Sequence, residues 1–237
     1  MKFDVQELSQ KEFNSMLIKY LSDYSVSISE MLSIPVGGHG HFEHEGNNFR
    51  NINKNINTTC ILNHNITNSL ICDCLLQNRK EIYEFITTHN YGKLAISLTS
   101  EFAVGGGYCE GKQDCYFTND LRLVLVPNIY TPPGFGLLTY YPDISKNHFK
   151  LSDNHILFSF DKISKEFEIN KDDFICVLGL NLDDDLDNQE FIMDKQLFLE
   201  YLKETESIEY KLNSQQLSDT IIQEKINKYT IDKNYCI

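Results

Sequence analysis

Leu121-Arg122-Leu123-Val124-Leu125-Val126 and Phe135-Gly136-Leu137-Leu138-Thr139-Tyr140-Tyr141 decide the fold. The first run is apolar and partly β-branched apart from Arg122, and the second is apolar and aromatic. Between them, Pro127-Asn128 through Pro132-Pro133-Gly134 is turn chemistry. Two such runs joined in this way read as a β-hairpin with a long connection. Toward the N-terminus, Ser9-Gln10-Lys11-Glu12 has the form of a capping box, and Phe13, Met16, Leu17, Tyr20 and Leu21 follow at helical spacing. A helix over about residues 9–24 is predicted, then a second short one near 28–32 that ends at Pro35 and the Gly37-Gly38 pair. Residues 46–69, rich in Asn and Thr, read as loop, and Ile82, Phe85 and Ile86 mark a helix near 78–88. Beyond the hairpin, strands are predicted at 155–160 and 174–180, and polar helices near 194–204 and 215–228. The class is α+β: N-terminal helices followed by an antiparallel sheet, with an acidic α/β C-terminal extension.

The 237 residues and 41% hydrophobic content suit one large domain or two small ones. The net charge of −13 is unevenly spread. Residues 1–150 hold 12 basic and 15 acidic side chains, a balance of −3, whereas residues 151–237 hold 9 lysines against 19 acids, a balance of −10. This step places a boundary near 148, dividing the chain into 1–148 and an acidic extension over 149–237. No apolar run approaches the ~20 residues that cross a bilayer, so no membrane partner is expected. The first residues, Met1 to Phe13, carry charges where a signal peptide needs an apolar stretch. The expected location is cytoplasmic, or a target cell reached through a larger delivery system. The seven cysteines are irregularly spaced, with no C-x-x-C pair. That argues against a zinc ribbon or a thioredoxin site and for reduced, mostly buried thiols, although Cys109 and Cys115 flank a glycine-containing loop and could pair.

Gly37-Gly38-His39-Gly40-His41-Phe42-Glu43-His44-Glu45-Gly46 holds three of the seven histidines within six residues. Imidazoles exchange protons near neutral pH, and glycines let a backbone approach a ligand closely. A plain solvated loop is the bland reading. A metal site is the second, because His-x-His-x-Glu-His looks like the zinc-binding His-x-His-x-Asp-His of metallo-β-lactamase-fold hydrolases. Here, however, a helix precedes the motif where that family has an Asp-x-Gly turn, Glu43 replaces the usual Asp, and a later Gly-His-x-Pro-Gly loop is absent.

The third reading is that the chain resembles the bacterial RNase A-like toxin domain, the C-terminal ribonuclease domain of contact-dependent growth-inhibition proteins. Gly37-Gly38-His39, then His44 and Gly46, match its opening. Leu121 to Val126 match its Val/Leu-rich strand, and Leu138-Thr139-Tyr140-Tyr141-Pro142 matches its closing segment, so the resemblance spans about residues 33–143. It implies a metal-independent endoribonuclease acting through the RNA 2′-hydroxyl, with no metal and no cofactor. It also implies RNA as substrate and an immunity protein as a possible partner.

On this resemblance the catalytic set is His39, His44, Arg50, Thr139 and Tyr141, with His41 and Arg122 as substrate-binding residues. His39 is the leading acid–base residue, and His44 or His41 would take the second proton-transfer role. Arg50 offers a fork that matches two phosphate oxygens. Thr139 and Tyr141 sit two apart on one strand and so share a face. The competing non-enzyme reading is an acidic immunity or binding protein, which a charge of −13 also suits.

Overall fold

The structure, a computed structural model, describes residues 4–35, 38–40, 58–62, 66–88, 91–108, 114–180, 186 and 189–231. The capping box forms: the Ser9 N–H donates to Glu12 Oε2 at 2.8 Å, and the Glu12 N–H returns to Ser9 Oγ at 3.3 Å. Helix α1 (Gln10–Tyr20) then runs three turns and stops. The first of the two predicted helices thus ends short of residue 24, and the second, expected near 28–32, starts earlier, because the Asp23 side chain accepts from the Val26 N–H and begins α2 (Tyr24–Ser33). Helices α3 (Thr67–Gln77) and α4 (Arg79–Thr88) follow. The expectation of loop through residue 69 is corrected here, since 58–61 form a strand and α3 starts at Thr67. Leu70, Ile71, Cys74 and Leu75 make a buried helical stripe that the surrounding Asn and Thr conceal.

Among the described residues the main sheet has four strands in the order β1 (His39–Gly40), β7 (Phe135–Pro142), β6 (Asp120–Pro127) and β3 (Leu94–Thr99). The β3-β6-β7 part is the expected antiparallel hairpin plus a third strand, but β1 joins β7 in parallel, so the sheet is mixed. One face carries Ile96, Leu98, Leu121, Leu123, Leu125, Phe135, Leu137 and Tyr140, all buried in the core, and α2 and α3 pack against these strands. Val124 pairs with Thr139 and Leu125 pairs with Leu137, so Leu138 is an extra residue in β7. This bulge resets the alternation. Without it, the parity that buries Phe135 and Leu137 would bury Thr139 and Tyr141; with it, Tyr140 enters the core instead.

A second antiparallel sheet, in the order β2 (Thr58–Ile61), β4 (Gly105–Tyr108), β5 (Cys115–Thr118), lies beside β7. Strand β4 is glycine-rich because a Cβ on Gly105 would collide with the Cys60 carbonyl and the Pro142 ring. Cys60, Cys72 and Cys74 are buried, as expected of thiols that pack as apolar groups, and burial pushes the Cys74 thiol up to about 12. Cys109 lies outside the described residues.

The acidic extension contributes the hairpin β8 (His155–Phe158) and β9 (Phe191–Asp194), and helices α5 (Phe160–Phe167), α6 (Lys171–Val177), α7 (Lys195–Glu204), α8 (Glu206–Asn213) and α9 (Asp219–Asn227). The strand predicted at 174–180 is a correction: Phe174 to Val177 close α6, which Asn170 caps through the Asp172 N–H. Similarly, the strand expected over 155–160 ends at Phe158 and turns into α5. The apolar core crosses residue 148. Phe102 meets Phe191 edge-on at 5.4 Å, and the Ala103 N–H donates to the Ile192 carbonyl at 2.8 Å. Phe117 and Phe149 exchange two backbone hydrogen bonds at 2.8 Å. Among the described residues, no helix is long and apolar enough to cross a membrane.

Candidate functional site

The sheet face opposite the core is the candidate site, and glycines admit the strand that completes it. After α2, the Gly38 N–H donates to the Pro35 carbonyl at 3.0 Å. A Cβ on Gly38 would stand 2.5 Å from the Leu32 carbonyl and 2.7 Å from the Leu137 carbonyl. On the facing strand, a Cβ on Gly136 would stand 2.8 Å from Ile34 Cγ2 and Pro35 Cδ. Only glycine at both places lets the chain lie flat on β7. His39 then pairs with Thr139, and Gly40 with Tyr140.

Register sets the rows of this face. His39, Thr139, Val124 and Ala95 form one row across β1, β7, β6 and β3; Tyr141, Arg122 and Ser97 form the next. Ala95 and Ser97 are exposed, while Val124, Arg122, Thr139 and Tyr141 are half-buried, so the face is open to solvent at β3 and partly so over β6 and β7. Thr139 Oγ1 is itself fully buried and has no hydrogen-bond partner among the described residues. An orphaned hydroxyl of this kind costs about 1–3 kcal/mol unless something supplies its bond.

Arg122 Nη1 donates to Asp143 Oδ2 at 2.9 Å, and the Asp143 side chain is 9% exposed against 28% for Arg122. Asp143 Oδ1 accepts from the Ser145 N–H at 3.1 Å and from the Ser145 hydroxyl at 2.5 Å. Burial alone would raise the Asp143 carboxyl, but the bonds from Ser145 and Arg122 outweigh it and hold the group below the usual carboxylate range. The bond to Asp143 in turn pushes the Arg122 guanidinium further above its ordinary range. Burial raises the Tyr141 phenol, with the Arg122 charge pulling it down and the Asp143 charge pushing it up, so its hydroxyl stays protonated at neutral pH. A neighbouring buried network closes the same end of β6. Asp120 accepts from the Thr99 hydroxyl at 2.6 Å and from Asn147 Nδ2 at 2.8 Å.

Of the residues read from sequence, Thr139, Tyr141 and Arg122 therefore share one face, and the backbone places His39 beside Thr139. His41, His44 and Arg50 lie outside the described residues. Among the described residues, no group of three or more His, Cys, Asp or Glu side chains is arranged to hold a metal ion. Asp143 was not among the expected residues. Its only local signal is Asp143-Ile144-Ser145 directly after the strand, a form that favours side-chain to backbone bonding.

No protein-family model matches this chain, and no curated protein matches it. Among solved structures, it is similar to a chain in the crystal structure of the CdiA-CT/CdiI complex from Y. kristensenii 33638. The match has a TM-score of 0.35 and 16% identity, and covers 37% of this chain and 78% of that one. A likeness this distant assigns neither a family nor an activity.

Proposed function

We propose that the chain is a metal-independent, toxin-like endoribonuclease whose site is the open face of the main sheet. The observation that supports this reading is the adjacency of two rows. His39 stands in register with Thr139, whose buried hydroxyl lacks a partner among the described residues, and Tyr141 with Arg122 follows on the same face. Transphosphorylation of RNA requires a base, an acid and cations or hydrogen-bond donors for the phosphorane, and these side chains offer an acid–base group, two hydroxyl donors and a cation.

In this reading, His39 takes the proton from a ribose 2′-hydroxyl. The 2′-oxygen then attacks the adjacent phosphorus, and the bond to the 5′-oxygen breaks. A second group, His44 or His41, returns a proton to that leaving oxygen, and a 2′,3′-cyclic phosphate remains. Arg50 and Arg122 balance charge on the phosphorane. Thr139 donates its hydroxyl to the phosphate or a base edge, and Tyr141 stacks on a base or donates to the phosphate. DNA lacks the 2′-hydroxyl and does not react. An immunity protein covering this face would be the natural partner, and delivery into a target cell the natural route of action.

The deciding experiment is incubation of total RNA and of DNA with the full chain in excess chelator, wild type beside His39→Ala. Cleavage of RNA alone, lost in the variant, supports the reading. Activity that vanishes in chelator and returns with zinc gives the His-x-His-x-Glu-His segment to a metallohydrolase instead.

A further inference from the structure

We propose that Asp143 is a positioning residue that holds the Arg122 guanidinium as a preset phosphate-binding fork beside Tyr141. This deepens the ribonuclease reading and rests on it for the identity of the ligand, an RNA phosphodiester. The geometry has three parts. Asp143 is buried, and its Oδ1 accepts from two donors of Ser145, which restrain the carboxylate. Among the described residues its Oδ2 takes only Nη1 of Arg122. Among the described residues nothing accepts from Arg122 Nη2 or Nε, and the side chain stays partly exposed.

A long side chain on an open sheet face would otherwise lose its rotamer freedom each time a ligand arrived. Here that freedom is removed in advance by a buried anion, and the planar fork keeps a free edge. Arg122 pairs with Tyr141 across the β6–β7 ladder, in the row next to that of His39 and Thr139.

The arrangement has an unusual signature. A carboxylate near a polyanion opposes binding by charge, while it favours turnover by geometry. The two effects separate in Asp143→Asn. That variant should bind RNA as well as or better than wild type, with KM equal or lower, yet kcat should fall about 10-fold. In an Arg122→Ala background, which by itself should cost about 10²-fold, Asp143→Asn should change kcat less than about 2-fold, because coupled groups are not additive. Ser145→Ala, which removes one donor to Asp143 and leaves the pair in place, should give a smaller loss in the same direction. It is the variant to rely on if Asp143→Asn does not fold by circular dichroism.

A second readout does not need catalysis. The chain has only three arginines, Arg50, Arg79 and Arg122, so the Arg122 Nε–H signal can be assigned by Arg122→Lys. In wild type it should be sharp and should shift when inorganic phosphate is titrated. In Asp143→Asn or Ser145→Ala it should broaden and respond less. Equal loss of kcat with and without Arg122, or an Arg122 signal indifferent to both Asp143 and phosphate, overturns the proposal. If wild type leaves RNA intact in chelator, the ribonuclease reading fails separately, and the phosphate titration alone decides this one.

Discussion

His39 and Thr139 are register partners across the parallel β1–β7 ladder. Neighbouring strands stand about 4.8 Å apart, so the two positions lie within reach of one phosphate group. The buried Thr139 hydroxyl, without a partner among the described residues, makes a test in which stability and activity move oppositely. Thr139→Val keeps the shape and removes the orphan. It should leave the melting temperature unchanged or raise it, by up to about 1 kcal/mol of stability, while lowering RNA cleavage ~10-fold or more. His39→Ala should lower cleavage ~10²-fold or more with little effect on folding. A Thr139→Val protein that is destabilised and fully active would remove the hydroxyl from the mechanism.

Gly38 is where the fold meets the site. Alanine there places a methyl carbon 2.5 Å from the Leu32 carbonyl and 2.7 Å from the Leu137 carbonyl, both rigid backbone atoms. The strand must lift off β7, carrying His39 away from Thr139. The expected cost is about 1–3 kcal/mol by thermal denaturation, with a loss of activity larger than the loss of folded protein explains. Gly92, with φ of +103° and nothing within 4 Å of where a Cβ would stand, is the contrasting case. Alanine at Gly92 strains only the local backbone and should leave cleavage by the folded fraction unchanged.

Several of these relationships can be read in the sequence and others cannot. The capping box, the hairpin and the shared face of Thr139 and Tyr141 all follow from patterns spanning a few residues. The helix at Thr67–Gln77 was hidden because polar Asn and Thr surround a stripe that only packing reveals. Phe174-Ile175-Cys176-Val177 looks like a strand by composition, yet the Asn170 cap and the acids Asp172 and Asp173 in the first turn favour a helix. The bulge at Leu138 breaks the period-two count between Leu137 and Thr139, so strand alternation alone assigns Phe135 to the wrong face. Asp143 is invisible for another reason: its partner Arg122 is 21 residues away, and the two meet only once β6 and β7 are in register.

Acid should weaken the molecule through Asp143. Its folded carboxyl titrates below the ordinary range, so the unfolded chain binds the proton more readily than the folded one. The stabilisation is therefore present above the unfolded value of about 4 and is lost as pH falls through the lower folded value. Thermal melts of wild type should drop as pH is lowered below about 4, and Asp143→Asn should show a shallower fall over that window. Identical slopes would mean that other carboxylates dominate acid unfolding.

The charge step at residue 148 invites a cut that the packing opposes. Residues 151–237 carry the −10 balance, and a ribonuclease gains nothing from that charge near an RNA path. A separable lobe would make residues 1–148 an active fragment with better RNA affinity. Yet Phe102 packs edge-on against Phe191, the Ala103 N–H is satisfied by Ile192, and Phe117 bonds twice to Phe149. Removing 149–237 strips Phe102 and Phe117 of these neighbours and leaves the backbone N–H groups of Ala103 and Phe117 without their partners. A 1–148 fragment should therefore lose its cooperative thermal transition. In the full chain, Phe191→Ala should cost about 3–5 kcal/mol, since the ring also stacks on Phe158 at 5.6 Å and meets Phe160 at 4.9 Å. Circular dichroism melts of the two proteins decide the matter. A fragment that melts cooperatively and cleaves RNA, beside a Phe191→Ala chain of wild-type stability, would establish the acidic extension as a lobe of its own. The expected result, an unfolded fragment and a destabilised variant, makes the extension part of the scaffold that holds β4 and β5 next to the site.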